Sequence, residues 1–141
     1  MMRMQSFEHA LENMVASVFS RSRSTIRPVE LGRRLLRDMD DHRSVDVQGR
    51  RIAPNHFIIH LSNRDHESLA DIEHALRSEL VVAATEYARD EHYHFIGPVG
   101  VDLLVDPALK PGRFGIASQF VEGAATAPPA PNLGRAPESS L

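Results

Sequence analysis

The chain has 141 residues, of which 42% are apolar, and a formal net charge of −3. This length and composition predict one folded domain with a buried core. The absence of cysteine excludes disulfides, zinc-thiolate sites and thiol nucleophiles, and it is typical of a reducing compartment. No apolar run approaches the roughly 18 residues of a membrane span, and the N-terminus lacks the apolar core of a secretory signal. We therefore expect a cytoplasmic protein.

Charge is distributed unevenly along the chain. Residues 21–37 carry six arginines and one acid, a local net charge of +5, whereas residues 65–92 carry eight acids and two arginines, a net charge of −6. This segregation predicts an electrically two-sided domain. The two faces can attract each other within the fold, or they can contact partners. The candidate contacts with a partner protein or an anionic surface are Arg21, Arg23, Arg27, Arg33, Arg34 and Arg37.

Two amphipathic helices are predicted in the first forty residues. In the first, apolar side chains recur at helical spacing, namely Met4, Phe7, Leu11, Met14, Val15 and Val18. A second helix begins near Pro28, because a proline loses no hydrogen bond in the first turn and Glu30 meets the positive end of the helix dipole. Its buried face is formed by Leu31, Leu35 and Met39, and it ends at Asp40-Asp41-His42.

Strand and helix patterns follow from residue 45 onward. We expect a hairpin over residues 45–62, with Pro54-Asn55 as its turn and Phe57, Ile59 and Leu61 on one side. A long helix over about 65–90 is predicted by the apolar positions Leu69, Ile72, Leu76, Leu80, Ala83 and Tyr87. Gly97-Pro98 stops it. A second hairpin pairs a strand over 99–105 with a return strand over 113–121, through the turn Lys110-Pro111-Gly112.

These elements predict an α+β fold in the order ααββαββ, with helices packed on a mixed four-stranded sheet. The long helix would join the second and third strands, and a right-handed crossover is expected if those strands are parallel. After Glu122 the chain becomes rich in proline and alanine. We therefore predict a folded domain over residues 1–122 and a disordered linker or tail over residues 123–141.

Four short motifs resemble one known family. They are Phe7-Glu8-x-x-Leu11-Glu12-x-Met14-Val15, Ile26-x-Pro28-Val29-Glu30-Leu31, Arg51-x-Ala53-Pro54-Asn55 and Gly97-Pro98-Val99. In this order and spacing they resemble the N-terminal domain of actinobacterial FHA-domain proteins of the FhaA type. The resemblance covers residues 3–121.

The resemblance implies a signalling adaptor rather than an enzyme. In that family the domain precedes a linker and a C-terminal forkhead-associated domain, which reads phosphothreonine in Ser/Thr-kinase signalling near cell-wall synthesis. That module and its phosphothreonine-binding loops are absent from these residues, and the resemblance carries no catalytic residue. The expected partner is a protein, such as a Ser/Thr kinase or a cell-wall regulator. No cofactor is expected.

The first forty residues allow further interactions. Thr25, which follows Arg21 and Arg23, is a candidate phosphoacceptor because the arginines could hold the added phosphate. The Met4–Val18 helix is a candidate surface for self-association. With its basic flank, it could also rest on the inner face of the plasma membrane.

Two other motifs have weaker functional interpretations. His92-x-His94 could contribute two metal ligands, but metal-site spacing normally brings more, so we expect a structural or surface role and no metal. Gly97-x-x-Gly100 matches the GxxG loop of RNA-binding KH domains, and a small KH-like RNA-binding module is the alternative function. The overall acidity and the strand after the motif argue against nucleic-acid binding.

Overall fold

The computed structural model describes residues 26–123, and the predicted Met4–Val18 helix and the chain from residue 124 onward lie outside the described residues. In chain order the elements are α1 (Pro28–Asp41), β1 (Ser44–Val45), β2 (Arg51–Ile52), β3 (His56–Leu61), α2 (Asn63–Ser68), a 3₁₀ turn (Ala70–Ile72), α3 (Glu73–Glu91), β4 (Gly100–Val105) and β5 (Phe114–Gln119). The α+β class is confirmed.

Helix α1 confirms the prediction made from Pro28. The proline occupies the first turn, and Arg27 precedes the helix with an extended backbone. Leu31, Leu35 and Met39 are fully buried, as their spacing predicts. The helix ends at Asp41, and the backbone N–H of His42 donates to the carbonyl of Asp38 at 3.0 Å.

The predicted hairpin over 45–62 is wrong. Strands β1 and β2 form a separate antiparallel ribbon, which pairs Ser44 with Ile52 and turns at Asp46–Arg50. The Asp46 carboxylate accepts the backbone N–H groups of Gln48 and Arg50, and Gly49 supplies the positive φ of 82° that this turn requires. Pro54-Asn55 instead connects the ribbon to β3.

The main sheet has three strands in the order β4-β3-β5, so the predicted four-stranded sheet and the second hairpin are wrong. Strand β3 pairs in parallel with β4 and antiparallel with β5, and its residue Ile59 lies opposite Leu103 and Ile116. The sheet is mixed, as predicted. Because β3 carries the fully buried Phe57, Ile59 and Leu61, its central position keeps the most apolar strand away from both edges.

The predicted long helix is interrupted, although all six of its predicted core positions are buried. Ser62 caps α2 by accepting the N–H of Asp65 at 3.1 Å, and α2 ends at Ser68. The 3₁₀ turn follows, with the N–H of Ile72 donating to Leu69. Since a 3₁₀ helix has about three residues per turn, Leu69 and Ile72 both face the core before α3 begins.

Within residues 26–123, a hydrophobic core lies between the sheet and the helices. Leu35 and Leu36 from α1 and Leu76 and Leu80 from α3 pack in one cluster with the inward side chains of the sheet. No helix within residues 26–123 is long and apolar enough to cross a membrane.

Candidate functional site

The exposed side of α1 carries three of the predicted contact arginines. Arg33, Arg34 and Arg37 recur at helical spacing opposite the buried leucines, and Arg27 extends the same side before the first turn. All four are exposed. The guanidinium of Arg34 lies 5.5 Å from the centre of the Phe114 ring, a cation–π contact that joins the helix surface to β5. We call these four residues the arginine face.

The acids near the arginine face are too few to neutralise it. Glu30 and Asp41 lie on the exposed side of α1, whereas Asp38 pairs with His42 at 3.3 Å and Asp40 is buried. Within residues 26–123, no carboxylate forms an ion pair with any of the four arginines. The face therefore has four guanidinium groups against two exposed carboxylates.

Three other predicted site residues are not among those that the structure describes. Arg21, Arg23 and the candidate phosphoacceptor Thr25 lie outside the described residues. The run of arginines in the sequence predicted six contact residues. Four of them are described, and they lie together on one exposed surface.

A buried carboxylate fixes α1 against α3. Asp40 accepts the hydroxyl hydrogen of Tyr87 at 2.7 Å and that of Tyr93 at 2.5 Å. Burial, together with these hydrogen bonds, raises the pKa of Tyr93 to about 12 and raises the pKa of Tyr87 well above its usual range. The guanidinium of Arg51 covers the Tyr93 ring at 4.7 Å. This network orients the helix that bears the arginine face.

Asn55 joins three segments of the chain that are distant in sequence. Its amide nitrogen donates to the carbonyls of Pro98 at 3.0 Å and Val121 at 2.8 Å, while its side-chain oxygen accepts the Val121 N–H at 2.8 Å. The chain after β5 also passes against Gly97, where an added Cβ would lie 2.5 Å from the Val121 carbonyl oxygen. The motifs Ala53-Pro54-Asn55 and Gly97-Pro98-Val99 thus contact each other. We call the hydrogen bonds of Asn55 with Pro98 and Val121 the clasp.

A comparison of the sequence with models of known protein families gives a match that includes these motifs. The sequence model described as "FhaA, N-terminal domain" matches residues 4–117. The chain belongs to the FhaA N-terminal domain family. A solved structure titled "Rv0020c_Nter structure" is similar with a TM-score of 0.59 and 19% sequence identity, over 83% of this chain and 80% of that one. At this identity the likeness shows a shared fold. No curated protein matches the chain.

The histidine pair has structural roles in this FhaA N-terminal domain. His92 ends α3 in the left-handed conformation with φ 62°, and the backbone of His94 bonds Arg51 and Ala53 beside β2. Across the described part of the chain, no three histidine, cysteine or acidic side chains are grouped so as to hold a metal ion. The Gly97-x-x-Gly100 motif leads into β4, whereas a KH loop joins two helices.

An apolar surface beside the β1–β2 ribbon was missed by the reasoning from sequence. A shallow groove of about 260 Å³ is lined by Val45, Ile52, Ile96 and Phe120, among others. Val45 and Phe120 are 64% and 42% exposed, and Val47 at the ribbon tip is fully exposed. The alternation of Val45, Asp46 and Val47 could have indicated a two-sided ribbon, but the neighbouring Phe120 is 75 residues away in sequence (120 minus 45).

Proposed function

We propose that this FhaA N-terminal domain is a non-catalytic adaptor that binds an acidic protein partner through the arginine face of α1. The observation that carries the proposal is the group of four exposed arginines without ion pairs among residues 26–123. Complementary charge speeds association and fixes the orientation of a complex. Family membership supports a place in bacterial Ser/Thr-kinase-linked signalling.

The internal use of buried polar groups supports a role without catalysis. Asp40 bonds two tyrosines, Asn55 bonds Pro98 and Val121, and the Asp65 carboxylate contacts Ser62 and accepts the Gly112 N–H at 2.7 Å. Catalytic groups need to converge on a site that substrate can reach. These side chains instead hold segments of the fold together.

The net charge of the chain favours a protein partner over a nucleic acid. Arg27 and Arg37 are ten residues apart, or about 15 Å along a helix. That length matches a few turns of an acidic helix or a short acidic segment. Net acidity of the chain as a whole weakens attraction to a phosphate backbone, because such binding depends mainly on phosphate neutralisation.

Charge reversal on α1 tests the proposal. The double variant Arg33→Glu with Arg37→Glu should fold normally, since both side chains are exposed and lack ion pairs within residues 26–123. The matched control is Arg64→Glu with Arg113→Glu, which makes the same charge change at two exposed positions outside α1. Each protein is used for affinity capture from nuclease-treated extract of the host cell, with quantitative mass spectrometry.

We expect at least one acidic protein to be captured by the natural chain and the control, and to be lost with the α1 variant. Equal capture by all three would refute the role of the arginine face. A separate titration with a 20-nucleotide single-stranded RNA examines the KH-like alternative. Salt-dependent RNA binding that the α1 variant loses would replace the protein partner with RNA.

A further inference from the structure

We propose that β5 pairs with β5 of a second copy of this chain, so that two three-stranded sheets join across a two-fold axis at Ala117. Strand β5 is the edge of the sheet opposite β4, because the strand order is β4-β3-β5. Residues 114–121 contain no proline and no charged side chain. This surface differs from the Met4–Val18 helix that the sequence suggested for self-association.

The two edges of the sheet differ in how they are protected. At β4, the Nε of Arg77 donates to the Val101 carbonyl at 2.8 Å, and the same guanidinium is paired with Asp102 and Glu73. Charged side chains on an edge strand prevent another strand from pairing with it. Within residues 26–123, no side chain forms a hydrogen bond with the backbone of Phe114–Gln119. Strand β5 is therefore the edge that can accept another strand.

The pairing of β3 shows which backbone groups of β5 are open. The N–H of Gly100 donates to the Asn55 carbonyl at 2.9 Å, so the odd-numbered residues of β3 bond β4. Because backbone groups alternate in direction along a strand, the even-numbered residues of β3 bond odd-numbered residues of β5, as Ile58 does with Ala117. The N–H and C=O groups of the even-numbered residues of β5 therefore face away from the sheet.

Other hydrogen bonds mark the two ends of this open edge. The N–H of Gly112 donates to the Asp65 carboxylate at 2.7 Å, and the clasp occupies both backbone groups of Val121. Since Val121 points its backbone groups at Asn55, those of Phe120 face outward. Within residues 26–123, four residues thus have open backbone groups, namely Phe114, Ile116, Ser118 and Phe120.

The identity of the two edges determines the orientation of the pair. In a parallel ladder, the bonding residues of one strand lie between those of the other strand, so two identical edges cannot pair in this way about a two-fold axis. Antiparallel strands satisfy the two-fold axis, because each residue then has the same relation to the second copy in both directions. The two β5 strands therefore run antiparallel.

The four open residues determine the register, because they are placed symmetrically about Ala117. An axis at Ala117 pairs Phe114 with Phe120 of the second copy and Ile116 with Ser118, so every open backbone group obtains a partner. A shift of one residue in each strand toward the start of β5 would place Phe120 opposite Gly112, whose N–H is already bonded to Asp65. The register centred on Ala117 is therefore favoured.

The side chains along β5 are compatible with this register. Ala117 is exposed and faces its own copy, where a small side chain allows the strands to approach. An added Cβ at Gly115 would have no atom within 4 Å, which leaves space for Gln119 of the second copy. On the other face, Phe114 lies opposite Phe120, which is 42% exposed, and such aromatic pairs stabilise adjacent strands.

Charge is also complementary at the two ends of the pair. Glu122 is exposed and lies two residues beyond Phe120, on the same side of the extended chain. Glu122 of the second copy therefore approaches Arg34, whose guanidinium lies 5.5 Å from the centre of the Phe114 ring. Within residues 26–123, neither Arg34 nor Glu122 forms an ion pair. The two-fold axis repeats this contact, which uses one arginine of the arginine face.

Charged side chains at the axis test the proposal. Sedimentation velocity measures self-association of the full chain over the micromolar range, for the natural sequence and for Ala117→Lys and Ala117→Glu. The matched controls are Ala108→Lys and Ala108→Glu, which make the same charge changes at an exposed residue after β4. Circular dichroism establishes that all the variants are folded.

We expect a reversible dimer for the natural chain and the controls, and at least tenfold weaker dimerisation for each Ala117 variant, because like charges face each other at the axis. An equimolar mixture of Ala117→Lys and Ala117→Glu should regain the dimer. A natural chain that stays monomeric would overturn the proposal and leave the edge to residues 1–25 or to another protein. Dimers that both Ala117 variants retain would place self-association on another surface and also overturn it.

Single cysteines test the register, since the natural chain contains none. Facing residues that share no hydrogen bonds have Cα atoms about 4.5 Å apart, which suits a disulfide. Ala117→Cys should therefore form a disulfide-linked dimer under mild oxidation, whereas Ser118→Cys should not, because Ser118 faces Ile116. Equal cross-linking of both variants, or cross-linking of Ser118→Cys alone, would refute the pairing centred on Ala117.

Discussion

Replacement of Asn55 by alanine should destabilise the domain by about 3 kcal/mol. The Asn55 side chain is fully buried and makes three hydrogen bonds of 2.8–3.0 Å, two to Val121 and one to Pro98. A typical hydrogen bond contributes about 1 kcal/mol net, and a buried group left unpaired costs about 1–3 kcal/mol. Since Val121 is 44% exposed, water can reach part of the vacated site, and the lower end of the sum applies.

Urea unfolding followed by circular dichroism measures this loss directly. The matched control is Asn63→Ala, because Asn63 is exposed in the first turn of α2. For a chain of this size, about 3 kcal/mol corresponds to a fall in Tm of about 10 °C. A loss below about 1 kcal/mol, or one equal to that of the control, would show that the clasp does not stabilise the fold.

The isosteric change Asn55→Asp separates hydrogen bonding from shape. A carboxylate there would face the two carbonyl oxygens that the amide now satisfies, so its pKa should be higher in the folded chain than in the unfolded chain. The folded state then holds the proton more tightly, and the stability deficit relative to the natural chain should shrink as pH falls toward 4. A deficit that is constant between pH 4 and 7 would contradict this.

Three further predictions concern other positions. Tyr93→Phe should lower the free energy of unfolding at pH 8 by about 1–2 kcal/mol, because Asp40 loses a donor. The pKa of Tyr93 is raised from 10 to about 12 in the folded chain, so the Tyr93 hydroxyl loses its proton at lower pH in the unfolded chain. The natural chain should therefore lose stability above about pH 10. Urea titrations at pH 8, 10 and 11.5 should show a smaller loss of stability for Tyr93→Phe. Gly97→Ala should destabilise by about 2 kcal/mol or more in urea, whereas Gly115→Ala, which has open space around its Cβ position, should change stability by under about 1 kcal/mol. Leu35→Ala should cost about 2–5 kcal/mol in the same assay, and a smaller loss would contradict its complete burial.

Side-chain burial was predictable from sequence because it follows local periodicity. The spacing of Leu31, Leu35 and Met39 placed one side of α1 in the core, and the same argument placed Arg33 and Arg37 at the surface. A helix turns through a fixed angle per residue, so the positions of the buried apolar side chains determine which side chains are exposed. This is why the arginine face was the part of the candidate site that sequence could predict.

Strand pairing was not predictable because it depends on distant residues. Pro54-Asn55 has the composition of a turn, but the side chain of Asn55 bonds residues 43 and 66 positions away. Lys110-Pro111-Gly112 likewise suggested a hairpin, whereas β5 pairs with β3 rather than with β4. The central place of β3 in the sheet follows from that pairing, and no local pattern could have indicated it.

The clasp at Asn55 also has a mechanical consequence. Strand β5 is followed by Val121, which Asn55 holds by two hydrogen bonds, and the backbone beyond it passes against Gly97. A force applied to the chain after Gly123 therefore acts on the clasp before it reaches the β3–β5 ladder. The clasp therefore protects the hydrogen bonds between β3 and β5 from being broken one after another from the end of β5. Single-molecule stretching from the chain after Gly123 should show a lower rupture force for Asn55→Ala than for the natural chain.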